Sequence, residues 1–151
     1  MSQEEKELLL KDISARLPYG VKCQVQEDEY TYIGTLCRLE VDNKNGNLLD
    51  FVESISGLDC QVYLSEAKPY LFPLESMTEE QCYDFYCRFV ENEIDYDDFK
   101  KYYFDEGSWH KLLTSINDCS RVIDWFHKNH FDYRGLIEKG LANDATGLNL
   151  Y

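Results

Sequence analysis

The sequence predicts an α+β protein: an N-terminal helix and a small antiparallel, SH3-like barrel sheet, followed by a bundle of short helices. Three observations carry this reading. Apolar residues alternate with period two from Val21 to Leu64, and they recur at helical spacing from Cys82 onward. The change of period falls within residues 68–81, KPYLFPLESMTEEQ. There Pro69 and Pro73 fix φ and withhold their N–H groups, so regular structure is expected to stop, while Ser76 with Glu79 and Thr78 with Gln81 both stand at capping-box spacing. The expected organisation is two halves, 1–75 and 76–151, packed as one unit.

Taken in order, Ser2 and Glu5 form a capping box, and Leu9, Ile13 and Leu17 recur at near-helical spacing, which predicts a helix over 3–16 ended by Pro18 and Gly20. Val21, Cys23 and Val25 then alternate with Lys22, Gln24 and Gln26. Tyr30, Tyr32 and Ile33 follow an acidic turn, and Leu36 to Val41 alternates again. Asn45-Gly46 and Ser56-Gly57 are turn signals, residues 48–55 favour strand over a helical turn, and CQVYL at 60–64 closes the series. Cys82, Phe85, Tyr86, Phe89 and Val90 mark one helix face. Residues 97–104, with Phe99, Tyr102 and Tyr103, predict a second helix, and Trp109, Leu112, Leu113 and Ile116 a third. A fourth, capped by Asn117 or Asp118, would present Cys119, Val122, Ile123, Phe126 and His130. The last apolar residues, Leu148, Leu150 and Tyr151, are expected to fold back on the helices.

Composition narrows the functional classes. The chain has 29 acidic and 15 basic residues, a formal net charge of -14, with 44% hydrophobic and 15% aromatic residues. A field of that sign repels nucleic-acid phosphates and anionic lipid, so direct nucleic-acid or membrane binding is not expected and a partner with a basic surface is favoured. The first residues, MSQEEKELLLKD, are acidic where a secretory leader is basic. Cytoplasmic location with reduced thiols on all six cysteines is the resulting expectation.

The phrases LPYGVK (17–22), VYLSEAKPYLFPLESMTEEQ (62–81), FYCRFVENEIDYDDFKKYYF (85–104) and WFHKNHFDYRGLIEKGLANDATGLNLY (125–151) cover most of the chain. Together they resemble a family of small uncharacterised acidic proteins from gut bacteria and their phages or prophages. The resemblance implies a cytosolic setting and a mobile-element origin, and it transfers no activity and no catalytic motif.

Candidate sites are each weighed against a plain structural role. His127 and His130, three apart on the fourth helix, could share a metal with Asp124, but paired close ligands of the zinc type are missing and structural histidines are favoured. Residues 91–98, ENEIDYDD, hold five carboxylates without the glycine and final glutamate of a calcium loop, so helix capping by Asp95 or Asp97 is favoured over ion binding. Ser108-Trp109-His110 does not by itself define a catalytic pair, and neither a nucleophile elbow nor a phosphate-binding glycine loop occurs. No enzyme activity and no cofactor are expected. Glu91, Glu93, Asp95, Asp97 and Asp98, with the aromatics Tyr96, Trp125 and Tyr133, are the candidate partner-binding residues. The reading is a protein-binding accessory protein. The alternative is a decoy whose carboxylates imitate DNA phosphates in a basic cleft of a defence or regulatory protein.

Overall fold

The structure, a computed structural model, describes residues 1–41, 47–53, 56–90, 94–104 and 119–151. The Asn45-Gly46 turn, Glu91 and Glu93, the Ser108-Trp109-His110 triplet, the third helix and the caps Asn117 and Asp118 lie outside the described residues. Two compact units are present, one formed by Met1–Pro73 with Phe126–Tyr151 and the other by Leu74–Trp125.

In the first unit, α1 (Gln3–Arg16) opens on the expected capping box, with the Ser2 hydroxyl accepting from the Glu5 N–H and the Glu5 carboxylate accepting from the Ser2 N–H. Its inner stripe is Leu9, Asp12, Ile13 and Arg16, all fully buried. Gly20, at φ 63°, turns the chain into the sheet. The strands are β1 (Lys22–Glu27), β2 (Tyr30–Glu40), β3 (Leu48–Glu53), β4 (Asp59–Tyr63), β5 (Ala67–Leu71) and β6 (Asn143–Asp144). They run in the order β4-β3-β2-β1-β5-β6, antiparallel except for the parallel β5–β6 pair. The expected barrel is therefore corrected to an open sheet with β4 and β6 as its edges. The correction has a simple cause: β1 gives its second side to β5, so β4 approaches β1 without pairing to it.

Cys23, Val25, Leu36, Leu49, Phe51, Val62 and Ala67 form the buried sheet face, in one core with Leu9 and Ile13 of α1. Leu36 and Leu39 are three apart and could not both face that core in a regular strand. A bulge between Leu36 and Arg38 absorbs the extra residue, Cys37, and restores the alternation. Gly34 is required where it stands, because a Cβ there would lie 2.9 Å from the Phe51 Cβ.

Two differences from expectation concern the prolines and the C-terminus. Pro69 does not end regular structure; it sits within β5 opposite Cys23, at a position that loses no ladder donor. The segment Phe126–Tyr151, grouped by sequence with the helical half, belongs with the sheet. Phe72 and His130 to Asp132 exchange main-chain bonds of 2.9 and 2.8 Å, β6 pairs with Tyr70 and Leu71, and the Tyr151 hydroxyl donates to the Tyr70 carbonyl at 2.8 Å. Tyr151 thus folds back on strand backbone rather than on helices.

The second unit holds α2 (Glu79–Phe89) and α3 (Tyr96–Phe99), the latter continuing as a π turn over Lys100–Phe104. Thr78, not Ser76, is the N-cap of α2, with Gln81 completing the box. Phe85, Tyr86 and Phe99 are buried, and Tyr86 meets Phe99 and Tyr103 at ring distances of 5.2 and 5.4 Å. A last helix, α4 (Cys119–Lys128), contributes its residues up to Trp125 to this unit and the rest to the first. A helical bundle is not established by the described helices.

Candidate functional site

The residues chosen from sequence separate into groups with different surroundings. Asp95 is the N-cap of α3, its carboxylate accepting the Asp98 N–H at 2.9 Å, so capping accounts for it; Asp97 and Asp98 are exposed in the first turn, where carboxylates complement the helix dipole. Tyr96 is part exposed and its phenol is pushed up to about 12 by a hydrogen bond to Glu79. Trp125 is buried against Phe85 and donates its indole N–H to Asp84 at 3.2 Å, which removes it from the free surface.

His127, His130 and Tyr133 lie instead in a buried polar cluster of the first unit. The expectation of two histidines three apart on the fourth helix is corrected: α4 ends at Lys128, and His130 follows in the left-handed region at φ 58°. His130 donates its N–H to the His127 carbonyl and Phe131 donates to the Phe126 carbonyl, the pair of bonds that closes a Schellman turn. Glycine usually takes that position. His127 meets the Tyr133 hydroxyl through Nε2 at 2.9 Å, Asp124 is exposed, and no group of three metal-ligating side chains converges among the described residues.

Sequence reasoning missed what closes this cluster. Arg16 is fully buried, holds both carboxylate oxygens of Asp12 at 2.6 and 3.2 Å, and donates to the Phe126 and Phe131 carbonyls at 3.4 and 2.8 Å. Arg134 adds a bond to Asp12 at 3.2 Å, and Asp132 accepts the N–H groups of Arg134, Leu136 and Ile137. His130 stacks on Tyr151 with ring centroids 3.8 Å apart, and its Nδ1 is the buried side-chain nitrogen without a hydrogen-bond partner among the described residues. Burial, assisted by the Arg16 charge, pushes its imidazole down to about 4. The cluster fastens the C-terminal turn to α1. Apart from the His130 Nδ1, its polar groups are occupied with one another.

The other concentration of polar and aromatic groups lies on the free side of β4, and none of its residues was singled out from sequence. Leu64 donates its N–H to the Asn47 carbonyl at 3.0 Å, continuing the β3–β4 register by one pair. Hydrogen-bonded pairs alternate along an antiparallel ladder, so Val62 and Cys60 face β3 while Asp59, Gln61 and Tyr63 aim their N–H and C=O groups away from the sheet. The Tyr63 N–H is taken by the Glu66 carboxylate at 2.7 Å. Among the described residues Asp59 and Gln61 remain as an open edge.

Two grooves flank that edge. On one side the β1–β2 hairpin and β4 enclose about 530 Å³ lined by Glu27, Tyr30, Tyr32, Leu58 and Asp59; Tyr30 is 77% and Leu58 68% exposed. Across this seam the Tyr32 hydroxyl donates to Glu27 at 3.3 Å, and burial with the neighbouring Cys60 thiol pushes that phenol upward. On the other side about 380 Å³ is lined by Cys37, Arg38, Asp50, Cys60 and Gln61, and by Asp59 again. Here Asp50 accepts from Gln61 at 2.7 Å and pairs with Arg38 at 3.7 Å, and burial together with Asp50 and Asp59 pushes the Cys37 thiol upward. A raised thiol is a poor nucleophile. No protein-family model, no curated protein and no solved structure matches this chain.

Proposed function

We propose that the protein is a non-enzymatic binding module that engages another protein at the open edge of β4. The observation that carries this is the outward-facing backbone of Asp59 and Gln61 beside a groove walled by exposed Tyr30 and Leu58. An unpaired edge is a template for a further strand, and folded proteins ordinarily blunt it; here only the Tyr63 end is blunted, by Glu66. The cytoplasmic setting and the phage or prophage origin implied by the sequence resemblance belong to the same proposal. The decoy alternative draws on charge alone, and no feature of the described surface adds to it.

Gln61→Pro tests the reading. Proline removes an N–H that points off the sheet and leaves the β3–β4 ladder its bonds, giving up only the exposed Gln61–Asp50 side-chain bond, so the variant is expected to keep its thermal transition to within a few degrees. A partner protein held by the wild type in affinity capture should be lost by this variant. Equal retention by the two would show that the edge is not the contact surface.

A further inference from the structure

We infer that the occupant of the β4 edge is an extended strand carrying a lysine or arginine, whose side chain enters the seam between β4 and the β1–β2 hairpin. This rests on the edge-binding reading above and names the chemistry of its partner. A strand added to β4 would send alternate side chains to opposite faces of the sheet, and a groove stands ready on each face beside Asp59 and Gln61.

The two grooves differ in charge. Glu27 and Asp59 line the seam, Asp59 on the rim that it shares with the other groove, and among the described residues no lysine, arginine or histidine lines it. Among the described residues Asp59 makes no ion pair, and Glu27 accepts a hydrogen bond from the neutral Tyr32 phenol. A long cationic side chain satisfies both parts of that lining, its aliphatic stem on Tyr30 and Leu58 and its charged head at Glu27, with Asp59 on the shared rim. The outer groove shares Asp59 but already holds a cation of its own, Arg38, paired with Asp50 and Glu40, so the neighbouring side chain of the added strand is neutral. Basic inside the seam and neutral outside is a pattern with the period of a strand.

A second copy of this chain is a poor occupant. Its own edge, DCQVY over 59–63, carries no lysine or arginine to enter the seam of the other copy. Charge complementarity selects a different chain.

The experiment titrates the full chain, by calorimetry, with a short blocked peptide of alternating threonine and valine that carries one central arginine. Controls are the same peptide with central glutamate and the arginine peptide N-methylated at alternate amides. Binding of the arginine peptide is expected to be about tenfold tighter than that of the glutamate peptide, the scale of one charge-assisted hydrogen bond. The Glu27→Gln/Asp59→Asn variant should lose that preference while keeping its thermal transition. Equal binding of the arginine and glutamate peptides, with loss on N-methylation, would overturn the charge inference and leave the edge reading standing. Undiminished binding of the N-methylated peptide would overturn the edge reading itself. Absence of binding by every peptide would overturn both, and concentration-dependent self-association abolished by Gln61→Pro would identify a second copy as the occupant and overturn the inference.

Discussion

The Arg16 cluster and the β4 seam are built from the same residue types, carboxylates, tyrosines and a few bases, yet they have opposite bookkeeping. In the cluster, Asp12 takes bonds from two arginines, Asp132 takes three N–H groups, and Arg16 spends its guanidinium on one carboxylate and two carbonyls. In the seam, Asp59 is unpaired among the described residues, Glu27 meets only a phenol, and Tyr30 stands in water. Buried charge survives only when saturated, whereas exposed charge can stay open at little cost. The difference teaches where to look for function: the conspicuous polar groups hold the fold, and the inconspicuous ones are available.

The largest way to break the contrast is Arg16→Met. It leaves Asp12 buried with Arg134 as its remaining partner, and a loss of about 3–5 kcal/mol in chemical denaturation is expected. The double variant Asp12→Leu/Arg16→Met should recover most of that, because the Phe126 and Phe131 carbonyls each keep a backbone N–H donor, from Phe131 and Tyr133. Failure to recover would mean that the guanidinium-to-carbonyl bonds, rather than the ion pair, hold the turn.

Next in size is an acid dependence centred on His130. Its imidazole titrates near 6.5 when unfolded and about 4 when folded, so between these values the unfolded chain binds the proton more readily. The stabilisation is complete above pH 6.5 and is lost as pH falls toward 4, by roughly 3 kcal/mol in total. His130→Asn, which tolerates the left-handed backbone, should flatten this part of the stability profile relative to wild type. An unchanged slope would assign the acid sensitivity to other groups.

Local signals in the sequence translated well where one residue decides the outcome. The Ser2–Glu5 box placed α1, Thr78–Gln81 placed α2, and Asp95 capped α3 as the density of carboxylates suggested. Non-local choices did not show. Nothing local to Pro69 reveals that its nitrogen faces a position without a needed donor, and nothing local to Asn143 reveals that it will pair in parallel with Tyr70 more than seventy residues earlier. The open sheet follows from the pairing of β1 with β5. Arg16 stands in the last turn of α1, where any base complements the helix dipole, and its burial depends on carbonyls supplied from Phe126 and Phe131. The seam left still less trace, since Tyr30, Leu58 and Asp59 read as turn and strand-end residues and acquire meaning only once β4 is known to be an edge.

A smaller effect tests whether Tyr151 belongs to the saturated region. Its hydroxyl accepts from the Lys22 N–H at 3.0 Å and donates to the Tyr70 carbonyl, and burial pushes the phenol upward. Tyr151→Phe keeps the ring on His130 and deletes those bonds, so about 1 kcal/mol should be lost, read as a lower denaturation midpoint at unchanged slope. No loss would place Tyr151 with the exposed groups instead.

The smallest expected change is the sharpest test of the seam. Asp59→Asn alters no hydrogen bond or ion pair among the described residues, so stability should stay within about 0.5 kcal/mol of wild type. Any rise would be small, because relieving the repulsion between Asp59 and the other carboxylates around β4 acts through water. The same change made at Asp12 would unseat two arginines. If Asp59→Asn instead destabilises the fold by more than a kilocalorie, the carboxylate has a structural partner and the seam is as saturated as the cluster; if it leaves stability alone and weakens binding of an arginine-bearing strand, an exposed and unpaired acid is what the sheet edge offers to another chain.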